Sequence, residues 1–176
     1  MRVGLTGGNG FVGSAVKNTL QNNNIEVLSL DSLTHSQVTS DLFSDVPSPL
    51  DWVLHFGAKT SVPQSFTDPF AVYSNNISST LIALNVARLS NANFLFMSSY
   101  VYGHPQYLPV NEAHPRQSLN PYMSSKIICE DLCSRFCQDF KLNLTILRTF
   151  AIYGNYPVGG RLIADLLSAV KTGKPV

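Results

Sequence analysis

Short apolar runs alternate with amphipathic stretches from the first residue of the chain onward. Residues 2–6, 25–30, 51–56, 93–98 and 142–148 are brief and rich in Val, Ile, Leu and Phe, the pattern of strands buried on both faces. Between them, 11–21, 68–89, 121–140 and 160–171 place apolar residues at helical spacing. These segments are long enough to form the right-handed crossovers that parallel strands require. The alternation predicts an α/β fold, a doubly wound parallel sheet in a three-layer α/β/α arrangement. One domain is expected over 1–176, since single domains commonly run ~100–200 residues.

Two stretches break the pattern. Ser, Thr and Pro dominate 31–51, which predicts a short strand near 38–42 and no crossover helix. The segment 103–120 holds His104-Pro105, Leu108-Pro109 and His114-Pro115. Proline removes a donor and restricts its predecessor, so a loop is expected, and one that borders a pocket. Asn22-Asn23-Asn24 reads as a helix-terminating turn.

Composition narrows the partners. The formal net charge is +1, with no run of either sign, which argues against a nucleic-acid or membrane-surface footprint and for a small molecule. No apolar stretch approaches the ~20 residues of a membrane span, and residues 1–6 lack the apolar core of a signal peptide, so a cytoplasmic location is expected. Cys129, Cys133 and Cys137 fall along one stripe of a predicted helix. With no zinc spacing and no interleaved histidine, they read as core filler and not as metal ligands. His55, His104 and His114 likewise read as satisfied or loop histidines.

The first strand runs into Gly7-Gly8-Asn9-Gly10-Phe11-Val12-Gly13 at the start of a helix. Gly7 permits a tight turn, Gly10 lets backbone approach a pyrophosphate, and Gly13 allows close helix–strand packing. The helix N-terminus adds free N–H groups and a positive dipole, so a dinucleotide fits, with Phe11 and Val12 among its contacts. Asp31 is expected to end the second strand and grip the ribose diol, which favours NAD over NADP because a carboxylate repels a 2′-phosphate.

A second constellation lies further on. Asn120 reads as an N-cap with Pro121 at the first helical position, placing Tyr122 in the first turn and Lys126 four residues on along the same face. A nearby cation and the positive helix end both favour a phenolate, so Tyr122 is a candidate acid/base. Ser98 is expected to end the central strand at its carboxyl edge, where open α/β sheets bind ligands.

With these residues in place, the chain resembles the extended short-chain dehydrogenase/reductase family, in its NAD-dependent epimerase/dehydratase branch, over essentially its whole length. The resemblance rests on Gly7-x-x-Gly10-x-x-Gly13, Asp31, Asp41-Leu42, His55-Phe56-Gly57-Ala58 and Asn76, then on Ser98-Ser99-Tyr100-Val101-Tyr102-Gly103, Tyr122-x-x-x-Lys126, Leu147-Arg148 and Tyr153-Gly154. It implies that Asp41 and Leu42 contact adenine and that Gly57 and Ala58 line the cofactor channel. Lys126 would also hold the nicotinamide ribose beside Tyr122, and Asn76 would buttress the site. The implied chemistry is hydride transfer between a nucleotide-sugar carbon and nicotinamide, with Tyr122 moving the hydroxyl proton and Ser98 steadying the oxygen.

The family also implies a homodimer through the helices at 68–89 and 121–140. Ser99-Tyr100 stand where the dehydratases carry an acidic step, which leaves epimerisation or ketone reduction, with the wording of 98–101 and the short 31–51 segment leaning to the 4-keto-sugar reductases. Ala151 replaces an asparagine that many members use toward the substrate diphosphate. Members continue into a C-terminal substrate lobe, so a shortened form that binds cofactor and turns over poorly alone is expected. A non-catalytic NAD-binding scaffold is the competing reading, and fold alone does not separate the two.

Overall fold

The computed structural model describes residues 1–34, 46, 49–154 and 162–173. In chain order these form β1 (Arg2–Thr6), α1 (Phe11–Asn22), β2 (Glu26–Ser29), α2 (Asp31–Thr34), β3 (Trp52–His55), α3 (Val62–Thr67), α4 (Pro69–Ser90), β4 (Asn93–Met97), α5 (Pro121–Phe140), β5 (Leu144–Leu147) and α6 (Leu162–Thr172). The five predicted strands make one sheet in the order β2-β1-β3-β4-β5, with every pairing parallel. Helices flank it, in the doubly wound arrangement that the alternation predicts. The expected strand near 38–42 lies outside the described residues, as do Asp41 and Leu42.

Three expectations are corrected. The centre of the sheet is β3, and the strand leading to Ser98, β4, lies between it and β5. Asp31 does not end a strand. β2 stops at Ser29, and Asp31 opens the single helical turn α2 in a segment where no helix was expected. The helix expected from residue 68 is preceded by α3. Asp68 divides the two, accepting the Ala71 N–H at 3.0 Å as N-cap of α4 while its own N–H closes α3 on the Gln64 carbonyl.

The core lies between the sheet and the pair α4 and α5. Val53, Phe94 and Phe96 from the strands meet Ala83, Leu84, Val86 and Ala87 from α4 and the three cysteines of α5. Each buried phenylalanine contributes roughly 2–3 kcal/mol of transfer free energy. The cysteines are apolar filler here, and burial pushes the Cys133 thiol above its ordinary value. Trp52, the one tryptophan, opens β3 in register with Val3 and Asn93. β5 differs from its neighbours: Thr145 and Leu147 on one of its faces are exposed. No helix among the described residues is long and apolar enough to cross a membrane.

Candidate active site

The glycine turn is built as its spacing requires. Gly7 has φ +72°, and a Cβ there would stand 2.7 Å from the Gly57 nitrogen. A Cβ on Gly13 would overlap the Gly7 carbonyl oxygen, so only glycine lets α1 come this close to β1. A Cβ on Gly10 would meet only that same oxygen, at 3.2 Å, and its outer side is open to an approaching ligand. Gly10 N–H closes the turn on Gly7 O at 2.9 Å. As N-cap of α1 it brings no capping side chain, and no acid sits in the first turn, so the N–H groups there are suited to an anion. These features fit a dinucleotide pyrophosphate.

Asp31 joins this turn. Its Oδ1 accepts the Gly7 N–H at 2.6 Å, which draws a carboxylate from the end of β2 to the turn after β1. Gly57 and Ala58 follow β3, both half-buried, and the Gly57 N–H donates to Thr6 Oγ1 at 3.1 Å. Phe11 and Val12 are half-buried at the head of α1. With Tyr153 and Gly154 they line a groove of about 440 Å³, bringing the last part of the sequence motif against the first.

Two of the candidate chemical residues, Ser98 and Lys126, meet the end of β4. Ser98 is 2% exposed, its N–H bonded to Leu147 O at 2.8 Å. Its Oγ is the one buried side-chain polar atom among the described residues with no hydrogen-bond partner. Unpaired buried hydroxyls are costly and rare, and this one suits an arriving substrate oxygen. Lys126 lies beside it. Charged as it is, that lysine is 3% exposed. Its Nζ donates to Met97 O at 2.8 Å and stands 4.6 Å from the centre of the Phe96 ring. Burial brings its pKa from 10.5 down to about 8, against the raising influence of Cys129, Cys133 and Glu130.

Tyr122 occupies the first turn of α5, half-buried, one turn before Lys126. Asn120 caps that turn as expected, accepting the Met123 N–H at 2.8 Å. The Tyr122 carbonyl accepts the Ser125 hydroxyl at 2.7 Å. Asn76 supports the turn from α4: its Nδ2 donates to Ser125 Oγ at 2.9 Å and to Lys59 O at 3.1 Å, and its Oδ1 accepts the Lys59 N–H at 2.8 Å.

One cluster escapes the sequence reading. Glu130, 1% exposed, accepts from Arg148 Nη2 at 2.8 Å and from Arg116 Nη1 at 3.2 Å. Arg148 also reaches Tyr102 Oη at 3.2 Å and Glu112 O at 3.1 Å. The bonds to Glu130 hold the Arg148 guanidinium above its ordinary value despite partial burial. The clamp fastens the 103–120 loop to α5 and to the end of β5. A cavity of about 480 Å³ opens there, lined by Tyr102, Glu112, Leu147, Arg148 and Phe150 among others. The only signal in the sequence was Arg148 following Leu147, which gave no hint of its partner. Elsewhere on the loop, His114 is satisfied at both ring nitrogens, by Pro115 O and by the Gln106 N–H, each at 2.9 Å, whereas His104 is exposed.

Known proteins agree with this geometry. Over 185 residues the chain is 30% identical to the probable UDP-arabinose 4-epimerase 1 of Oryza sativa subsp. japonica, covering 88% of this chain and 44% of that protein. It is 31% identical over 173 residues to a putative UDP-glucose 4-epimerase of Methanocaldococcus jannaschii, covering 85% and 55%. The chain thus spans about half the length of the curated relatives it matches. Among solved structures, the Thermus thermophilus UDP-glucose 4-epimerase in complex with NAD superposes with TM-score 0.83 at 28% identity, covering 100% of this chain and 64% of that one. NAD is the cofactor that goes with this family, and the turn described above fits it. Residues 3–176 match the family's profile throughout, and the chain belongs to the NAD dependent epimerase/dehydratase family.

Proposed function

We propose that this chain is the cofactor-binding and proton-handling unit of an NAD-dependent oxidoreductase acting on a nucleotide sugar, folded as one domain over 1–176. The observation that carries the reading is the buried, unpartnered Ser98 hydroxyl one residue beyond the carbonyl that anchors Lys126. Gly7, Gly10, Gly13, Phe11 and Val12 hold the pyrophosphate side, Asp31 the adenosine ribose, with Asp41 and Leu42 toward adenine and Gly57 and Ala58 along the channel. NAD, when bound, supplies a hydride acceptor and donor at its nicotinamide ring. Ser98 orients the reacting sugar oxygen. Tyr122 takes the proton from that oxygen and returns it, and Lys126 keeps a positive charge near the phenol while contacting the nicotinamide ribose. The UDP-sugar 4-epimerase relatives favour epimerisation over the 4-keto reduction to which residues 98–101 lean.

Two further elements belong to the proposal. Exposed apolar residues on the paired helices, Phe70, Leu81 and Leu89 on α4 and Ile128 on α5, support a homodimer through these helices. Exposed Leu147, Phe150 and Tyr153 leave the substrate side open, which supports cofactor binding with poor turnover by this chain alone and keeps the scaffold reading as the alternative. Calorimetric titration of NAD and NADP, beside Asp31→Ala, tests the core of the reading. NAD is expected to bind the tighter of the two and to lose ~10-fold or more in the variant. Equal binding of NAD by both proteins removes Asp31 from the site, and no binding by either overturns the cofactor assignment. Incubation with UDP-glucose and NAD, followed by sugar analysis, separates a catalyst from a scaffold.

A further inference from the structure

His55 stands between the cofactor turn and the Tyr122 turn, and its neighbours dictate its protonation. The ring is 1% exposed and stacked beside Phe96, with centroids 5.9 Å apart and planes 24° from parallel. On one side, Nε2 lies 3.1 Å from Thr80 Oγ1. That hydroxyl directs its single hydrogen to the Asn76 carbonyl at 2.7 Å, so toward the imidazole it only accepts. Nε2 therefore carries a proton. On the other side, Nδ1 lies 2.7 Å from Thr6 Oγ1, which accepts the Gly57 N–H at 3.1 Å and has its own hydrogen for the ring. Nδ1 is bare.

The result is a one-way run of donors: Gly57 N–H to Thr6, Thr6 hydroxyl to His55, His55 Nε2–H to Thr80, Thr80 hydroxyl to Asn76. The Asn76 side chain continues it through Ser125 to the Tyr122 carbonyl. An imidazolium would set a second donor against Thr6 Oγ1 and take away the acceptor of its hydroxyl hydrogen. The charged and titratable groups facing this region are Lys126, whose charge acts on the ring, and Cys129, whose thiol also points at Asn76 O, at 3.4 Å. Burial first and Lys126 second bring the His55 pKa down to about 3.

We propose that His55 is a positioning residue: as the neutral Nε2–H tautomer it ties the turn that receives the cofactor to the helices that hold Tyr122. The role rests on the NAD reading given above; the tautomer does not. In the ligand-free chain, labelled with ¹⁵N-histidine, imidazole correlation spectra are expected to show a pyrrole-type Nε2 and a pyridine-type Nδ1 for His55, unchanged from about pH 8 to about pH 5. The opposite tautomer, or titration within that span, overturns the proposal.

The second arm is NAD calorimetry on Thr80→Val, Thr6→Val and the double variant, each checked for native melting. Thr80 lies on α4, 1% exposed, and its hydroxyl meets His55, the Asn76 carbonyl and the Cys129 thiol. Thr80→Val is expected to weaken NAD ~5- to 10-fold, Thr80→Ser to restore it, and the double variant to bind no worse than the weaker single one. Full affinity in Thr80→Val, or losses that simply multiply, overturn the link. If the unmodified chain fails to bind NAD, the cofactor reading falls, and the imidazole spectrum still decides whether the tie exists.

Discussion

The middle of the sheet and its β5 edge are written in the same alternating apolar code, yet they finish differently. In β3 and β4 every second residue is fully buried and the others are half-buried, so both faces are covered. In β5 the alternates are exposed, Leu147 at 41%, and the chain continues into Phe150 at 59% and Tyr153 at 73%. The polar groups divide in the same way. Around the cofactor turn, Thr6, His55, Asn76 and Ser125 are all paired, while the buried Ser98 hydroxyl past the end of β4 is not. The difference teaches that the described polar groups beside the glycine turn satisfy one another, whereas those along β5 and just beyond it leave apolar surface uncovered.

That contrast can be broken by substitution. The largest effect is expected at Phe94→Ala, in the covered part of the sheet, where about 3–5 kcal/mol of unfolding free energy should be lost in urea titrations. A loss under about 1 kcal/mol would mean that the core there is loosely packed. Glu130→Gln comes next. It leaves Arg148 without its carboxylate and Arg116 with Asp131 alone, and is expected to cost about 2–3 kcal/mol, with faster proteolysis in the 103–120 loop that the clamp fastens. Equal proteolysis of both proteins would remove the clamp from the loop's support.

Lys126 gives a test by pH. Below about pH 8 the lysine is protonated in folded and unfolded chains alike; between there and 10.5 the unfolded chain holds a proton that the folded chain has released. The contribution of Lys126 to stability is therefore expected to rise with pH across that window, opposed above about pH 9 by the buried thiols that the unfolded chain ionises first. The difference in stability between the unmodified chain and Lys126→Met isolates that contribution, and it should move in favour of the unmodified chain as pH rises. A pH-independent difference between the two proteins would show the ammonium to be solvated. The smallest effect is expected at Phe150→Ala. It removes an edge contact with Tyr100 at 4.9 Å from an exposed ring and should cost under about 1 kcal/mol despite being the same kind of truncation as Phe94→Ala.

What the sequence made legible was local. Five apolar runs, the Asn120-Pro121 helix start and the glycine spacing each carry their reason within a few residues, and each appears where the pattern put it. α3 was hidden because its six residues, Val-Pro-Gln-Ser-Phe-Thr, hold less than two turns of periodicity, with only Ser61 as a cap to announce it. Asp31 lay two residues past a strand end that pattern alone could not fix, and α2 formed where Ser and Thr suggested loop. The buried state of Lys126 depends on a carbonyl 29 residues away, and the Glu130–Arg148 clamp on a strand 18 residues away. Residue type predicts the opposite, because lysine and glutamate are seldom fully buried. Such features come from the parallel stacking of β4 and β5 beside α5, a long-range arrangement that no window of sequence contains.

Trp52 turns the direction of the sheet into an optical property. It sits at the amino end of β3, and the cofactor turn lies at the carboxyl end, roughly 10 Å of strand away. Its emission therefore reports whether the three middle strands are assembled, and it stays clear of contact quenching by anything held at the opposite edge. The chain carries its own fluorophore for folding, separated in space from the signal of occupancy.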